Sequence, residues 1–304
     1  MLTNLVNYKT REVAVRKGVV KMTQQAGQTG RAGPDHARKE ASLDILRADL
    51  AHHRMDVLRV ATGPGHRLFR AVPKGLPPAG GWPILYLLDG NAAFDFLTAQ
   101  HLALVPDLVL VGVGYDTDRQ FARERRTLDF TAPDGPGDGI RPDPVHAGRM
   151  AGGASQFLDR LIGPLRDAAE ADLPVNPVRR SLWGHSFGGL FTLYALLTRP
   201  QAFARYAAIS PSIWWDEGLI RRVAASSQPV EVPPAVLVAL GDKEKRSGLD
   251  GPPPDGPAPA TMDFVAGLRA HPGLDPQVHV LRDHVHIQTI AGSLPLALPF
   301  AAKG

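Results

Sequence analysis

The chain of 304 residues contains no cysteine. Disulfides, thiol nucleophiles and thiolate metal sites are therefore excluded from any account of how it folds or works. It also lacks an uncharged apolar run near the ~18 residues that a membrane-spanning helix needs, and no apolar signal core follows Met1. A soluble, cytoplasmic protein with no membrane partner is the expectation. Repeats of fixed period are absent too. The excess of positive charge is local: the formal net charge is +4, but residues 1–41 hold eight Lys/Arg against three Asp/Glu, which leaves −1 for the rest. A nucleic-acid partner thereby loses its main support.

Those first 41 residues show no clear apolar period and include the polar run Gln24-Gln25-Ala26-Gly27-Gln28-Thr29-Gly30. They read as a basic, poorly ordered extension, with 42–304 as a single domain. From Ala41 a short helical segment, Leu43–Ala51, leads to alternating stretches at Asp56–Ala61 and His66–Val72 around the turn Thr62-Gly63-Pro64-Gly65, the pattern of an antiparallel hairpin. Uninterrupted apolar runs then recur at Ile84–Leu88, Leu108–Val113, Tyr206–Ile209 and Ala235–Leu240. Such runs suit parallel strands covered on both faces. Helical candidates separate them: Ala92–Leu104, Gly152–Glu170, Leu190–Leu197, Gly218–Ala225, Thr261–Ala270 and Ser293–Ala301. The predicted class is α/β, a mostly parallel sheet with an N-terminal antiparallel hairpin and helices on both faces. Thr131–Pro144 and the proline-rich Gly251–Pro259 are expected as surface loops.

Gly184-His185-Ser186-Phe187-Gly188 places a serine between glycines where the apolar Ser181-Leu182-Trp183 meets the apolar helix from Leu190. This is the local chemistry of a nucleophile elbow, in which Gly184 and Gly188 are expected to relieve a collision between strand and helix. A serine hydroxyl needs a base, and on such scaffolds the acid and then the histidine follow the serine in the chain. The run Ala235–Leu240 ends in Gly241-Asp242-Lys243-Glu244, so Glu244 or Asp242 is the candidate acid. Of the histidines beyond it, His271 reads as a turn residue and His279 as a strand-face residue. His284 and His286 fall in the loop before the last helix, and spacing alone does not separate them. One oxyanion N–H is expected from Phe187, after the nucleophile. The other is expected from the turn Asp89-Gly90-Asn91, with Asn91 preferred over Gly90.

Five segments occur in order: Leu85-Tyr86-Leu87-Leu88-Asp89-Gly90-Asn91, Val111-Gly112-Val113-Gly114-Tyr115, Arg126-Thr127-Leu128-Asp129-Phe130-Thr131, Gly184-His185-Ser186-Phe187-Gly188-Gly189 and Ser210-Pro211-Ser212-Ile213-Trp214-Trp215. Together they resemble the esterase family of α/β-hydrolases that includes enterobactin and salmochelin esterases and bacillibactin hydrolases, over roughly residues 52–301. The resemblance implies an α/β-hydrolase fold and ester hydrolysis through Ser186. It selects His286 as base, because Leu294-Pro295-Leu296-Ala297-Leu298 stands at the expected distance after it, and it favours Glu244 as the acid. It also implies Arg126, Trp214 and Trp215 as substrate-binding residues, although an Arg126–Asp129 ion pair and core packing of a tryptophan account for the same sequence. No cofactor and no metal is called for. The substrate implied is a siderophore ester, with a general carboxylesterase on small acyl esters, an acyltransferase or a binding module as rival readings.

Overall fold

A computed structural model describes residues 10–13, 39–63, 65–135, 137–245, 252 and 255–303. A single sheet in the order β1-β2-β3-β5-β4-β8-β9-β10-β11 organises them. The hairpin is present as β2 (His53–Val60) and β3 (His66–Pro73), paired antiparallel. β3 runs antiparallel to β5 (Val109–Tyr115). From there β5, β4 (Trp82–Leu88), β8 (Val175–His185), β9 (Arg205–Ile209), β10 (Ala235–Gly241) and β11 (Gln277–Leu281) are parallel neighbours. Every residue of β4 and β5 is buried. That is why their sequences are unbroken apolar runs rather than alternating ones.

One apolar layer lies on each face of the sheet. Tyr86, Val111, Leu182 and Tyr206 pack with Phe157, Phe191 and Trp215 on one side. Leu85, Leu110, Trp183 and Leu237 pack with Phe94, Leu294 and Leu298 on the other. The covering helices are α1 (Gly90–Phe96), α2 (Ala99–Ala103), α3 (Arg123–Phe130), α4 (Ala154–Arg160), α5 (Arg166–Glu170), α6 (Phe187–Thr198), α7 (Leu219–Ser226), α8 (Pro259–Ala270) and α9 (Thr289–Ala302). A small ribbon of β6 (Arg141–Pro142) and β7 (Met150–Ala151) lies between α3 and α4.

Four expectations change. The helix predicted over Ala92–Leu104 is two helices, because Thr98 caps a new start by accepting the N–H of His101 while the His101 ring accepts the N–H of Thr98. The span Gly152–Glu170 is interrupted at Leu161–Leu165, where Gly163 leaves helical geometry and Pro164 supplies no N–H. The segment Leu43–Ala51 forms only the short 3₁₀ turn Asp44–Arg47. Within 1–41, Thr10–Val13 forms β1, paired parallel with β2, and Ala41 donates its N–H to the carbonyl of Asp118. Without β1 the hairpin's outer strand would be an edge, and the added strand pairs backbone groups that it would leave open. The remainder of 1–38 lies outside the described residues, as does part of the proline-rich loop.

Among the described residues no helix is long and apolar enough to cross a membrane.

Candidate active site

Backbone strain collects at the carboxyl ends of the parallel strands. Asp89 after β4, Ser186 after β8, Ser210 after β9 and Asp283 after β11 all hold positive φ, between 44° and 60°. Non-glycine residues hold such angles only where the surroundings enforce them, and the crevice at the carboxyl ends of an open α/β sheet is where ligands bind.

Ser186 stands at the tip of the strand-to-helix turn, with φ 60° and ψ −115°. The elbow is pinned to β9: Ser186 donates its N–H to the carbonyl of Ile209 (2.9 Å), and its own carbonyl accepts the N–H of Ser212 (3.2 Å). A Cβ at Gly184 would fall on the carbonyl of Gly188, and one at Gly189 would lie 2.8 Å from the carbonyl of Ile209. At Gly188 the nearest atom would be 3.4 Å away, an ordinary contact. The collision expected at Gly188 is therefore relieved at Gly189 instead, because the helix approaches β9 through that residue.

His286 opens the short turn His286–Gln288 after β11, and Glu244 follows β10. Glu244 Oε2 lies 2.7 Å from His286 Nδ1. The other oxygen, Oε1, accepts from the Ser210 hydroxyl at 2.6 Å and from the Gly241 N–H at 2.5 Å. Burial pushes the Glu244 carboxyl up, but the hydrogen bonds and charge it receives outweigh this and hold it below the usual carboxylate range. An ionised carboxylate can only accept, so His286 carries its proton on Nδ1 and leaves the Nε2 lone pair available.

The rival residues have other tasks. Asp242 Oδ1 accepts the N–H of Asp283 at 2.7 Å, tying the acid loop to the histidine loop. His284 turns its Nδ1 to the carbonyl of Arg282 at 2.6 Å, and its Nε2 lies where a Cβ on Gly292 would stand. The hydroxyl of Ser186 has a neighbour that sequence reading overlooked: Ser212 Oγ, buried, at 3.2 Å. Among the described residues no hydrogen bond joins Ser186 Oγ to His286.

Phe187 opens α6 and Asn91 is the second residue of α1, so their N–H groups belong to first turns, which have no acceptors within the helix. The Asn91 side chain does not cap α1. Its Oδ1 accepts the Tyr115 N–H at 2.9 Å and its Nδ2 donates to the carbonyl of Thr117 at 2.8 Å, which fastens the turn to the end of β5. Asp89 is the cap residue, and Arg126 holds it: Nε lies 2.9 Å from Oδ1 and Nη2 lies 2.8 Å from Oδ2. Asp129 pairs instead with Arg160 and with the Tyr115 hydroxyl, so the i, i+3 ion pair considered for Arg126 does not form. The Arg126 guanidinium also lies over the rings of Phe121, Phe130 and Phe187, at 5.3–5.6 Å.

Trp214 is half-buried against Phe187, with ring centres 6.3 Å apart. Trp215 is 1% exposed and donates its indole N–H to Asp143 Oδ1, so it is a core residue and not the substrate wall expected of it. Its carboxylate partner also binds Nδ1 of His146, whose ring stands edge-on to Phe187 at 5.8 Å. The segment that follows the Thr131–Pro144 loop thus reaches the elbow through His146, which Asp143 holds. A separate groove of about 480 Å³ between α7 and α8, lined by Arg221, Phe264 and His271, contains none of these groups.

A family model described as "Putative esterase" matches residues 65–236. The chain belongs to this esterase family. It is 33% identical over 202 residues to the ferri-bacillibactin esterase BesA of Bacillus subtilis (strain 168), covering 59% of this chain and 66% of that protein. It is 37% identical over 167 residues to the apo-salmochelin esterase of Escherichia coli O6:H1, covering 53% and 51%. The matches thus span about half to two-thirds of those curated relatives. Among solved structures, the enterobactin and salmochelin hydrolase IroE superposes with a TM-score of 0.68 at 25% identity, over 86% of this chain and all of the other. The esterase family inferred from the five motifs is therefore the one that matches, and the α/β-hydrolase fold is shared along the whole neighbour. Among the described residues no group of three or more His, Asp or Glu is arranged to hold a metal ion.

Proposed function

We propose that the protein is a serine esterase that cleaves carboxylic esters through an acyl-enzyme. The observation that carries this reading is the Glu244–His286 pair, fixed at 2.7 Å beside the strained Ser186 elbow. In the reaction the Ser186 hydroxyl turns from Ser212 towards the imidazole, gives its proton to His286 Nε2 and attacks the ester carbonyl. Negative charge on the carbonyl oxygen is met by the N–H groups of Phe187 and Asn91, each at a helix start. His286 returns the proton to the leaving alkoxide. Water, deprotonated by the same nitrogen, then releases the acid and restores Ser186. Glu244 stays ionised throughout and stabilises the imidazolium.

The substrate class we infer is a siderophore ester, because the named relatives act on bacillibactin and salmochelin esters. Arg126 and Trp214 are the residues we assign to contact it. Arg126 keeps a planar cation beside Phe187, suited to oxygen-rich acyl groups. A panel of iron-loaded and iron-free siderophore esters beside simple p-nitrophenyl esters tests this, read as kcat/KM. Preference for a siderophore ester supports the reading. Equal or better turnover of short acyl esters would instead make the protein a general carboxylesterase.

A further inference from the structure

His185 precedes the nucleophile directly, and the proposed chemistry gives it no task. It ends β8, is only 4% exposed, and is an ionisable side chain placed where an apolar residue of similar volume would need no partner. Its Nε2 lies 2.9 Å from the main-chain carbonyl oxygen of His286, and the two rings are 4.6 Å apart, tilted by 43°. A carbonyl only accepts, so Nε2 carries the proton and Nδ1 keeps the lone pair. Nδ1 is buried and has no hydrogen-bond partner among the described residues. A second proton there would be buried without an acceptor. Burial, together with the neighbouring His286, holds the ring well below the usual histidine range and so neutral.

The carbonyl that His185 binds also accepts the Thr289 hydroxyl at 2.7 Å. Thr289 Oγ1 is in turn 2.8 Å from Ser210 Oγ, which donates to Glu244. A chain of close polar contacts, in which two hydroxyl protons serve three contacts, therefore links the residue before Ser186, the peptide of His286 and the second oxygen of Glu244. We propose that His185 is a positioning residue for His286: its Nε2–H fixes the His286 peptide relative to the elbow, and its neutral ring supports the imidazole from beneath. This rests on the assignment of Ser186 and His286 made above. Filling space alone would not need a donor, and the fixed tautomer distinguishes the two roles.

The test compares His185→Gln with His185→Leu in the full chain, with Ser186→Ala and His286→Ala as references. Glutamine can place an N–H near the position of Nε2, whereas leucine fills the volume without a donor. For p-nitrophenyl acetate, His185→Leu should lower kcat roughly 10- to 100-fold with KM within about twofold, because a displaced base acts on the chemical step rather than on binding. His185→Gln should recover kcat to within about fivefold of wild type. In the wild-type protein, ¹⁵N shifts should show His185 still as the neutral Nε2–H tautomer where an ordinary histidine has become protonated. The proposal is overturned by a leucine variant with wild-type kcat, by equal losses in both variants, or by a His185 that titrates near its ordinary value. Turnover surviving His286→Ala would overturn the base assignment and this role with it. Wild-type kcat in His185→Leu, beside inactive Ser186→Ala and His286→Ala, overturns the positioning role alone. If the leucine variant does not fold, the wild-type titration and the glutamine variant decide the matter between them.

Discussion

Glu244 meets His286 with one carboxylate oxygen and the backbone of its own loop with the other, so the acid is held from both sides: Oε2 on the imidazole at 2.7 Å, Oε1 on the Gly241 N–H at 2.5 Å. A Cβ on Gly241 would fall on the carbonyl of His284, so the two loops touch through that glycine. Replacing the acid with its amide keeps the volume but offers His286 a donor where it needs an acceptor. Glu244→Gln should therefore lower kcat about 10²- to 10⁴-fold with little change in KM, by favouring the wrong tautomer. Steady-state kinetics check this, and a loss under threefold would remove Glu244 from the site.

The neighbouring residues should behave differently. His284 bonds a local carbonyl and Asp242 bonds the Asp283 N–H. His284→Ala should leave kcat within about threefold of wild type, while Asp242→Asn should act on stability first, lowering the melting midpoint by a few degrees for a loss of about 1 kcal/mol. Thermal denaturation and kinetics on the same preparations separate the two.

Arg126 provides a third contrast. Two of its nitrogens are committed to Asp89, the residue that opens the proposed oxyanion turn, and the pair is nearly buried, with side chains 12% and 4% exposed. Because these two nitrogens hold the turn whatever the rest of the guanidinium contacts, Arg126→Lys should fail to rescue, since one ammonium cannot bridge both oxygens in the same plane. The expected outcome is a fall in kcat of about 10-fold or more in both Arg126→Lys and Arg126→Ala, from a displaced oxyanion donor. A change confined to KM would show that its main work is substrate contact.

Acid should destabilise the fold through His66. Burial lowers its pKa to about 4, and its Nδ1 faces the Gly114 carbonyl at 3.2 Å. In the unfolded chain the same group titrates near 6.5. Between those values the unfolded chain binds more protons, so stability falls as pH drops from about 6.5 towards 4, by about 2 kcal/mol at pH 5. The ring sits between Tyr115 and Phe157, which suits a non-titrating His66→Phe. Urea unfolding at pH 7 and pH 5 should show a smaller loss in that variant. An unchanged loss would place the acid sensitivity elsewhere.

What the sequence revealed and what it hid follow one division. The buried strands were legible because both-face burial writes uninterrupted apolar runs, as in Ile84–Leu88. Ser186 and Glu244 stood out because each follows the buried end of such a strand, whereas β11 before His286 has no buried residue, and spacing alone left His284 beside it. Relationships across the chain were not. Arg126 pairs with Asp89, 37 positions away, rather than with the nearer Asp129, because α3 lays it over the start of α1. Trp214 and Trp215 are adjacent in sequence and divided by burial, which no local pattern records. Ser212 and His185 both stood in quoted motifs, but their partners, Ser186 and the carbonyl of His286, are supplied by the end of β8 and the last loop. The break at Thr98 did carry a local signal, a threonine that can cap a helix three residues before His101, whose ring can return the hydrogen bond.

The central claim is that Ser186 is the nucleophile. A fluorophosphonate probe, which forms a bond only with an activated serine, tests it most directly when followed by peptide mass analysis. The account predicts one label per chain, on Ser186, abolished in Ser186→Ala and strongly slowed in His286→Ala. Labelling at another residue, or ester hydrolysis that persists in Ser186→Ala, would contradict it.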